Sequence, residues 1–185
     1  PIVTEKINEY LESHRKDLDG IYISGGEPLM HEGVVSFLQY AKTLNYKIKI
    51  HTNGMFYERL KTILAQKLVD HVSLDIKNAP SAYAKTCGVE DMDLKDIEKS
   101  LDLLKQSVVP YDICVTLVDE LHNQATIEEL GEWIQGVDTV ILQPFEDRET
   151  TIDHSLHRPS FKVVLKYKKI FEKYVKHVKI RGDQA

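Results

Sequence analysis

Apolar positions along the chain switch between two spacings in strict order. Ile7, Tyr10, Leu11 and Leu18 mark a helical stripe over residues 4–18. Residues 20–24, Gly-Ile-Tyr-Ile-Ser, read as a short strand that runs into a Gly-Gly turn. Val34, Val35, Leu38, Ala41 and Leu44 form the next helical stripe. Tyr46 to Thr52 alternates, with Tyr46, Ile48 and Ile50 on one face and Lys47, Lys49 and His51 on the other. Asn53-Gly54 ends that strand as a turn. A helix through Leu60, Ile63, Leu64 and Leu68 follows. Residues 70–77 alternate again, Val72, Leu74 and Ile76 opposite Ser73, Asp75 and Lys77.

A longer loop through Pro80 and Gly88 comes next. Asp93 with Asp96 resembles a capping box opening the helix of Leu94, Ile97, Leu101 and Leu104. Tyr111 to Val118 is a strand. Thr126 with Glu129 reads as a second capping box, and residues 138–145 as a strand ending in Gln-Pro-Phe. Residues 146–158 are a polar loop, Pro159 opens a last helix over 159–175, and Val178 with Ile180 suggests one more strand.

Strict alternation with short links predicts a parallel sheet, either an open doubly wound one or part of a barrel. Strands covered by helices on both faces are apolar on both. Here Ser24, His51, Asp75 with Lys77, Thr116 and Gln143 put polar groups at the same level toward the C-terminal ends of five strands. A partly open barrel with a wet upper lumen accounts for that better than a sandwiched sheet. A barrel also wants a strand before the first helix, and the chain begins with the helix.

Composition narrows the function classes. The 185 residues are 42% hydrophobic and 29% charged, which fits one globular domain with a proper core. Twenty-four Lys and Arg against 29 Asp and Glu give −5, which argues against a broad basic face for nucleic acid. No apolar run approaches the roughly 18 residues of a membrane span, and the start is not signal-like. Cys87 and Cys114 form no metal-ligand spacing, so a disulfide framework and a structural zinc are disfavoured and a reducing cytoplasm is the default location. No metal ligands and no general acid or base are assigned. His154 and His157, spaced H-x-x-H in the polar loop, read as solvent-facing. Cys114 shares the polar face of its strand with Thr116, and a lone cysteine there reads as a small hydrophobe. Lys47 and Lys49 share the His51 face, with stems lining the lower barrel or charges drawing an anionic ligand.

The strongest local signal is Ser24-Gly25-Gly26-Glu27-Pro28 at the end of the first strand. Two glycines let backbone approach a ligand without Cβ obstruction, and Glu27 can hold the turn or meet a cation. This segment resembles the S-adenosylmethionine motif of radical SAM enzymes. The resemblance continues in order: His51-Thr52-Asn53-Gly54 is similar to the D-T-N-G of glycyl-radical activating enzymes, Leu74-Asp75-Ile76-Lys77 to their D-x-K strand, Leu142-Gln143-Pro144-Phe145 to a late-strand L-Q-x-F, and Lys179-Ile180-Arg181-Gly182 to a terminal V-x-V-R-G. The group it resembles most is the activating proteins of anaerobic ribonucleoside-triphosphate reductase, related to pyruvate formate-lyase activating enzyme.

The resemblance implies a partial (β/α)6 barrel of parallel strands with the first strand missing. It implies S-adenosylmethionine as cofactor, held by Ser24, Gly25, Gly26, Glu27, His51, Thr52, Asn53, Asp75, Lys77 and Gln143. Gly25 and Gly26 would contact the methionine amino group, and Asp75 and Lys77 would lie near its carboxylate. Relatives hold a monovalent cation there with an Asp, its following Thr and the Asp of D-x-K. Thr52 and Asp75 match, but His51 replaces the first Asp, which removes an anionic oxygen that a hard cation wants. His51 can hydrogen-bond the ligand carboxylate instead. The family's 4Fe–4S cluster sits on C-x-x-x-C-x-x-C after the first barrel strand, and this sequence has no such motif. The expectation is a single domain over 1–185, truncated at its N-terminus, with the cluster in the full-length parent only and the fragment alone inactive. The implied partners are a glycyl-radical enzyme, anaerobic ribonucleotide reductase first and pyruvate formate-lyase as the alternative, and a reductant such as flavodoxin or ferredoxin. A cluster-less module binding a ligand or a partner is the competing class.

Overall fold

The computed structural model describes residues 4–149 and 151–182. Thirteen principal elements follow in order: α1 (Thr4–Ser13), β1 (Gly20–Ile23), α2 (Val34–Thr43), β2 (Lys47–Thr52), α3 (Tyr57–Ala65), β3 (His71–Asp75), α4 (Pro80–Thr86), α5 (Lys95–Lys105), β4 (Tyr111–Leu117), α6 (Gln124–Trp133), β5 (Thr139–Pro144), α7 (Phe161–Phe171) and β6 (His177–Ile180). A 3-10 turn, Pro28–Met30, sits between β1 and α2.

All six strands are parallel, and their spatial order is their chain order, β1 to β6. A doubly wound sheet reverses direction at a switch point; this one never does. It winds one way and stays open between β1 and β6, as an incomplete barrel does. The helix-facing side chains Ile48, Ile50, Val72, Leu74, Ile113, Val115, Val140 and Leu142 are buried and share one core with Leu38, Leu60, Ile97, Leu101, Ile127 and Leu130. Their strand neighbours on the other face are mostly polar, Cys114 and Ile141 apart, as expected of a sheet whose helices lie on one side.

Those polar groups are staggered rather than level. His51 pairs in register with Ser73, two residues before Asp75. Asp75 pairs with Cys114, two residues before Thr116, which is level with Gln143. The row thus climbs two residues at each step from β2 to β4, the stagger that tilted barrel strands require.

Several boundaries differ from the sequence reading. Helix α1 stops at Ser13, whose hydroxyl donates to the Tyr10 carbonyl at 2.9 Å. The stretch read as loop contains α4, started by Pro80 and anchored by a single buried aromatic, Tyr83, too short for a periodic signal. The capping box of α6 is Asn123 with Thr126, not Thr126 with Glu129; Glu129 instead accepts from the Ser81 amide and hydroxyl at 2.9 and 2.5 Å. Asp93 accepts from the Lys95 amide at 3.0 Å, and Leu94, without a side-chain cap, stands before α5. Ser160 caps α7, one residue after Pro159. The tail is a full strand, β6.

Two turns need glycine. Gly54 closes the β2 turn at φ +79°, and a Cβ there would sit 2.8 Å from Leu74 Cδ1. Gly25 and Gly26 adopt φ of +90° and +32°, with open space where each Cβ would stand.

Candidate functional site

The site assembles at the C-terminal ends of β1, β2 and β3, where barrel sites lie. Ser24, Gly25 and Gly26 are exposed at the tip of β1. Glu27 beside them is buried, and its carboxylate fastens the turn to β2. Oε1 accepts from the Leu29 amide at 3.0 Å and the Thr52 hydroxyl at 2.7 Å; Oε2 accepts from the Asn53 amide at 2.7 Å. Arg59 donates to the Leu29 carbonyl from α3. Thr52 is fully buried, faces the helix layer and receives the Gly54 amide at 3.2 Å. Asn53 turns its side chain onto the Met55 amide at 3.0 Å. In this arrangement Glu27, Thr52 and Asn53 bind one another, and the backbone of Gly25 and Gly26 is what they present.

On the open face, Lys77 Nζ stands 2.5 Å from Asp75 Oδ2. His51 Nε2 lies 3.7 Å from the same oxygen, and the Tyr22 hydroxyl is 3.0 Å from His51 Nδ1. Burial alone would push the Asp75 carboxyl up; the His51 imidazole and the Lys77 ammonium outweigh it and hold the carboxyl below its ordinary value. The other oxygen, Asp75 Oδ1, is buried with no hydrogen-bond partner among the described residues. An unfilled buried acceptor on an open polar face is suited to a ligand donor. Gln143, half-buried near the end of β5 and level with Thr116, accepts from Arg181 Nη1 at 2.6 Å.

Below this rim lies a group that sequence reasoning did not single out. Asp112 on β4 accepts from His71 Nε2 and the Ser73 hydroxyl, each at 2.6 Å, and pairs with Lys49 Nζ at 3.2 Å. Cys114 Sγ is 3.5 Å from Asp112 Oδ1. Only the strand alternation pointed here, since Asp112, Cys114 and Thr116 share one face. Burial raises the Asp112 carboxyl, but Ser73, His71 and Lys49 together hold it below its ordinary value of 3.8. A lowered folded value stabilises the protein above 3.8, and that contribution is lost as pH falls through the folded value. Asp112→Asn is therefore expected to be less stable than wild type at neutral pH, the gap narrowing in acid. Thermal melts across the acid limb measure this, and a gap that does not change with pH would refute it.

A groove of about 860 Å³ runs along the outer side of β1 between α1 and α2 and reaches Gly25 and Gly26; Ile7, Ile23, Pro28 and Phe37 give it an apolar lining. Among the described residues no strand pairs with β1 on that side.

Residues 1–134, well over half of the chain, match the family model described as the radical SAM superfamily. The chain belongs to the radical SAM superfamily. Over 169 residues it is 30% identical to a Methanocaldococcus jannaschii protein whose name assigns it, provisionally, to the glycyl-radical enzyme activating enzymes; the match covers 88% of this chain and 70% of that one. The fold is similar to a domain of pyruvate-formate lyase-activating enzyme from Bacteroides vulgatus, with TM-score 0.68, 19% identity, and 88% of this chain and 99% of that one covered. It is also similar to Streptococcus suis SuiB bound to S-adenosylmethionine, with TM-score 0.74, 13% identity, and 97% of this chain but 44% of SuiB covered.

Radical SAM proteins imply two groups, and this chain suits them unequally. The donor set at the rim fits S-adenosylmethionine: open glycine backbone, a cation at Lys77 and the unfilled acceptor of Asp75. The iron–sulfur cluster does not fit. The two cysteines of the sequence are one short of a three-thiolate site, Cys87 is exposed while Cys114 is buried, and among the described residues no group of three or more His, Cys, Asp or Glu could hold a metal ion. No described helix is long and apolar enough to cross a membrane.

Proposed function

We propose that this radical SAM chain is the S-adenosylmethionine-holding part of a cytoplasmic glycyl-radical activating enzyme. Its partner would be anaerobic ribonucleoside-triphosphate reductase, its reductant a flavodoxin or ferredoxin, and its cluster thiolates would come from a segment N-terminal to these residues. The observation that carries the reading is that the Gly25–Gly26 turn, tied by Glu27 to the end of β2, and the Asp75–Lys77 pair at the end of β3 stand at the C-terminal ends of consecutive strands of one incomplete barrel. Bound in the parent enzyme and given one electron from the reductant, S-adenosylmethionine would supply, with cleavage of a carbon–sulfur bond and release of methionine, the carbon radical that takes hydrogen from a backbone glycine of the partner. The residues of this chain bind and orient. Gly25 and Gly26 offer backbone groups to the methionine amino group. Lys77 meets the carboxylate, with Asp75 holding that ammonium in place. His51, braced by Tyr22, turns its second nitrogen to the same region. Tyr22, Lys49 and Asp112 floor the lumen with polar groups.

A cluster-less binding module is the second reading, and the two-cysteine count favours it. Both readings use the same rim, so one measurement tests the rim itself. Calorimetric titration with S-adenosylhomocysteine, which is inert to reductive cleavage, is expected to show binding that Asp75→Ala and Lys77→Ala each weaken at least about tenfold, the worth of roughly one charge-assisted hydrogen bond. Affinity unchanged by Asp75→Ala would remove the site from this rim.

A further inference from the structure

Lys77 lies just beyond the end of β3, so something outside the ladder has to fix its backbone. The structure shows what does. His122, in the loop between β4 and α6, is 3% exposed. Its Nδ1 is 3.1 Å from both the amide nitrogen and the carbonyl oxygen of Val118, and its Nε2 is 3.1 Å from the Lys77 carbonyl; the neutral ring that serves both turns carries its proton on Nε2, accepting from the Val118 amide and donating to the Lys77 carbonyl. Burial pushes the imidazole down, toward its neutral form, against the opposing pull of the Val118 and Lys77 carbonyl oxygens. The ring thus joins two turns 45 residues apart in the chain. Asn78, the next residue and fully buried, repeats the join: its Nδ2 donates to the Leu121 carbonyl at 2.7 Å and the Thr86 hydroxyl at 2.9 Å. The His122 backbone is anchored in turn, because the Tyr167 hydroxyl of α7 donates to its carbonyl at 3.0 Å.

We propose that His122 is a positioning residue that holds the Lys77 backbone, and through it the Lys77–Asp75 pair, by clamping the turn after β3 to the turn after β4. That Lys77 and Asp75 meet a ligand rests on the function proposed above; the clamp itself does not. The clamp acts without touching ligand. It sets where the Lys77 side chain starts, and a rim lysine with a fixed origin loses less freedom on binding than one on a loose turn. Two polar substitutions separate this role from mere filling of the core. Glutamine places a donor where Nε2 stood and keeps the Lys77 contact. Asparagine reaches only as far as Nδ1 and keeps the Val118 contact alone.

The ligand-free arm is amide hydrogen exchange on the whole chain. The Lys77 amide, which donates to the Tyr83 hydroxyl at 3.3 Å, and the Ala79 amide, which donates to Asn78 Oδ1 at 2.8 Å, report on the turn. His122→Asn is expected to speed exchange at both by at least about tenfold, and His122→Gln to leave them near wild type, with amides of β2 and α3 unchanged in either. In the binding arm, titrated with S-adenosylhomocysteine, His122→Asn should lose most of the affinity that Lys77→Ala loses and add little to it in the double variant, as coupled residues do. Equal exchange at Lys77 and Ala79 in the two variants would overturn the clamp. If exchange follows the expected pattern while wild type fails to bind the probe, the clamp stands and the proposed ligand falls.

Discussion

Glu27→Ala is expected to cost about 3 kcal/mol or more of folding stability, a large share of the 5–15 kcal/mol typical of a domain. Glu27 is 8% exposed, and its carboxylate serves three donors on two segments: the Leu29 amide, the Thr52 hydroxyl and the Asn53 amide. Truncation leaves all three buried or half-buried donors without an acceptor. Each unmatched donor costs about 1–3 kcal/mol, and relaxation or entering water recovers part of the sum. Glu27→Gln should fall between alanine and wild type, since an amide keeps one acceptor oxygen but turns N–H groups toward a donor. Urea unfolding measures the series. A loss below about 0.5 kcal/mol for alanine would show that the turn does not depend on this residue. The consequence for the site is direct: Glu27 is the tie between the Gly25–Gly26 turn and the end of β2, so the same variant should bind S-adenosylhomocysteine more weakly than its residual fold would suggest.

This result bears on how a short motif is read. Gly25, Gly26 and Glu27 form one string; the family resemblance puts all three at the ligand, while the residues themselves leave Glu27 either to hold the turn or to meet a cation. The structure divides them. The glycines face the opening, and the glutamate builds the floor under them together with Thr52 and Asn53. The barrel character was legible because burial on one sheet face leaves a period-2 trace: Lys49 and His51, Ser73 and Asp75, Cys114 and Thr116 alternate with apolar neighbours. The stagger of that row was not legible, since register between parallel strands is set by packing of the connecting helices. The same holds for Asp112. Its partners Lys49, His71 and Ser73 come from two other strands, and nothing local marks them as one group. His122 was invisible for a related reason: its two bonds go to backbone, and a backbone partner 45 residues away leaves no signature in residue type. Short-range chemistry misled in small ways, as when Asn123 three residues upstream took the capping role assigned to Thr126.

Anaerobic reconstitution of the 185-residue chain with iron and sulfide is expected to yield no stoichiometric 4Fe–4S cluster. Ligation needs three thiolates brought together. Cys114 is buried on β4, and burial first, then the Asp112 carboxylate, push its thiol up to about 12, so it stays protonated. Cys87 ends α4 in solvent, raised by partial burial, on a different element. The expected companion result is gain by addition. Among the described residues β1 has one partner, β2, and its outer edge offers backbone groups that pair with no other described strand, beside the groove that leads to Gly25 and Gly26. Ile21 and Ile23 on that strand are only half-buried. A longer protein that places a parallel strand on this edge, followed by a C-x-x-x-C-x-x-C loop, would cover both isoleucines and bring three thiolates next to the glycine turn. Such a protein is expected to take up iron and sulfide in a cluster ratio and, once reduced, to cleave S-adenosylmethionine, while the 185-residue chain does neither. Iron and sulfide analysis, with chromatographic assay for 5′-deoxyadenosine, reads both outcomes; a stoichiometric cluster on the short chain would overturn the assignment of the thiolates to a segment beyond it.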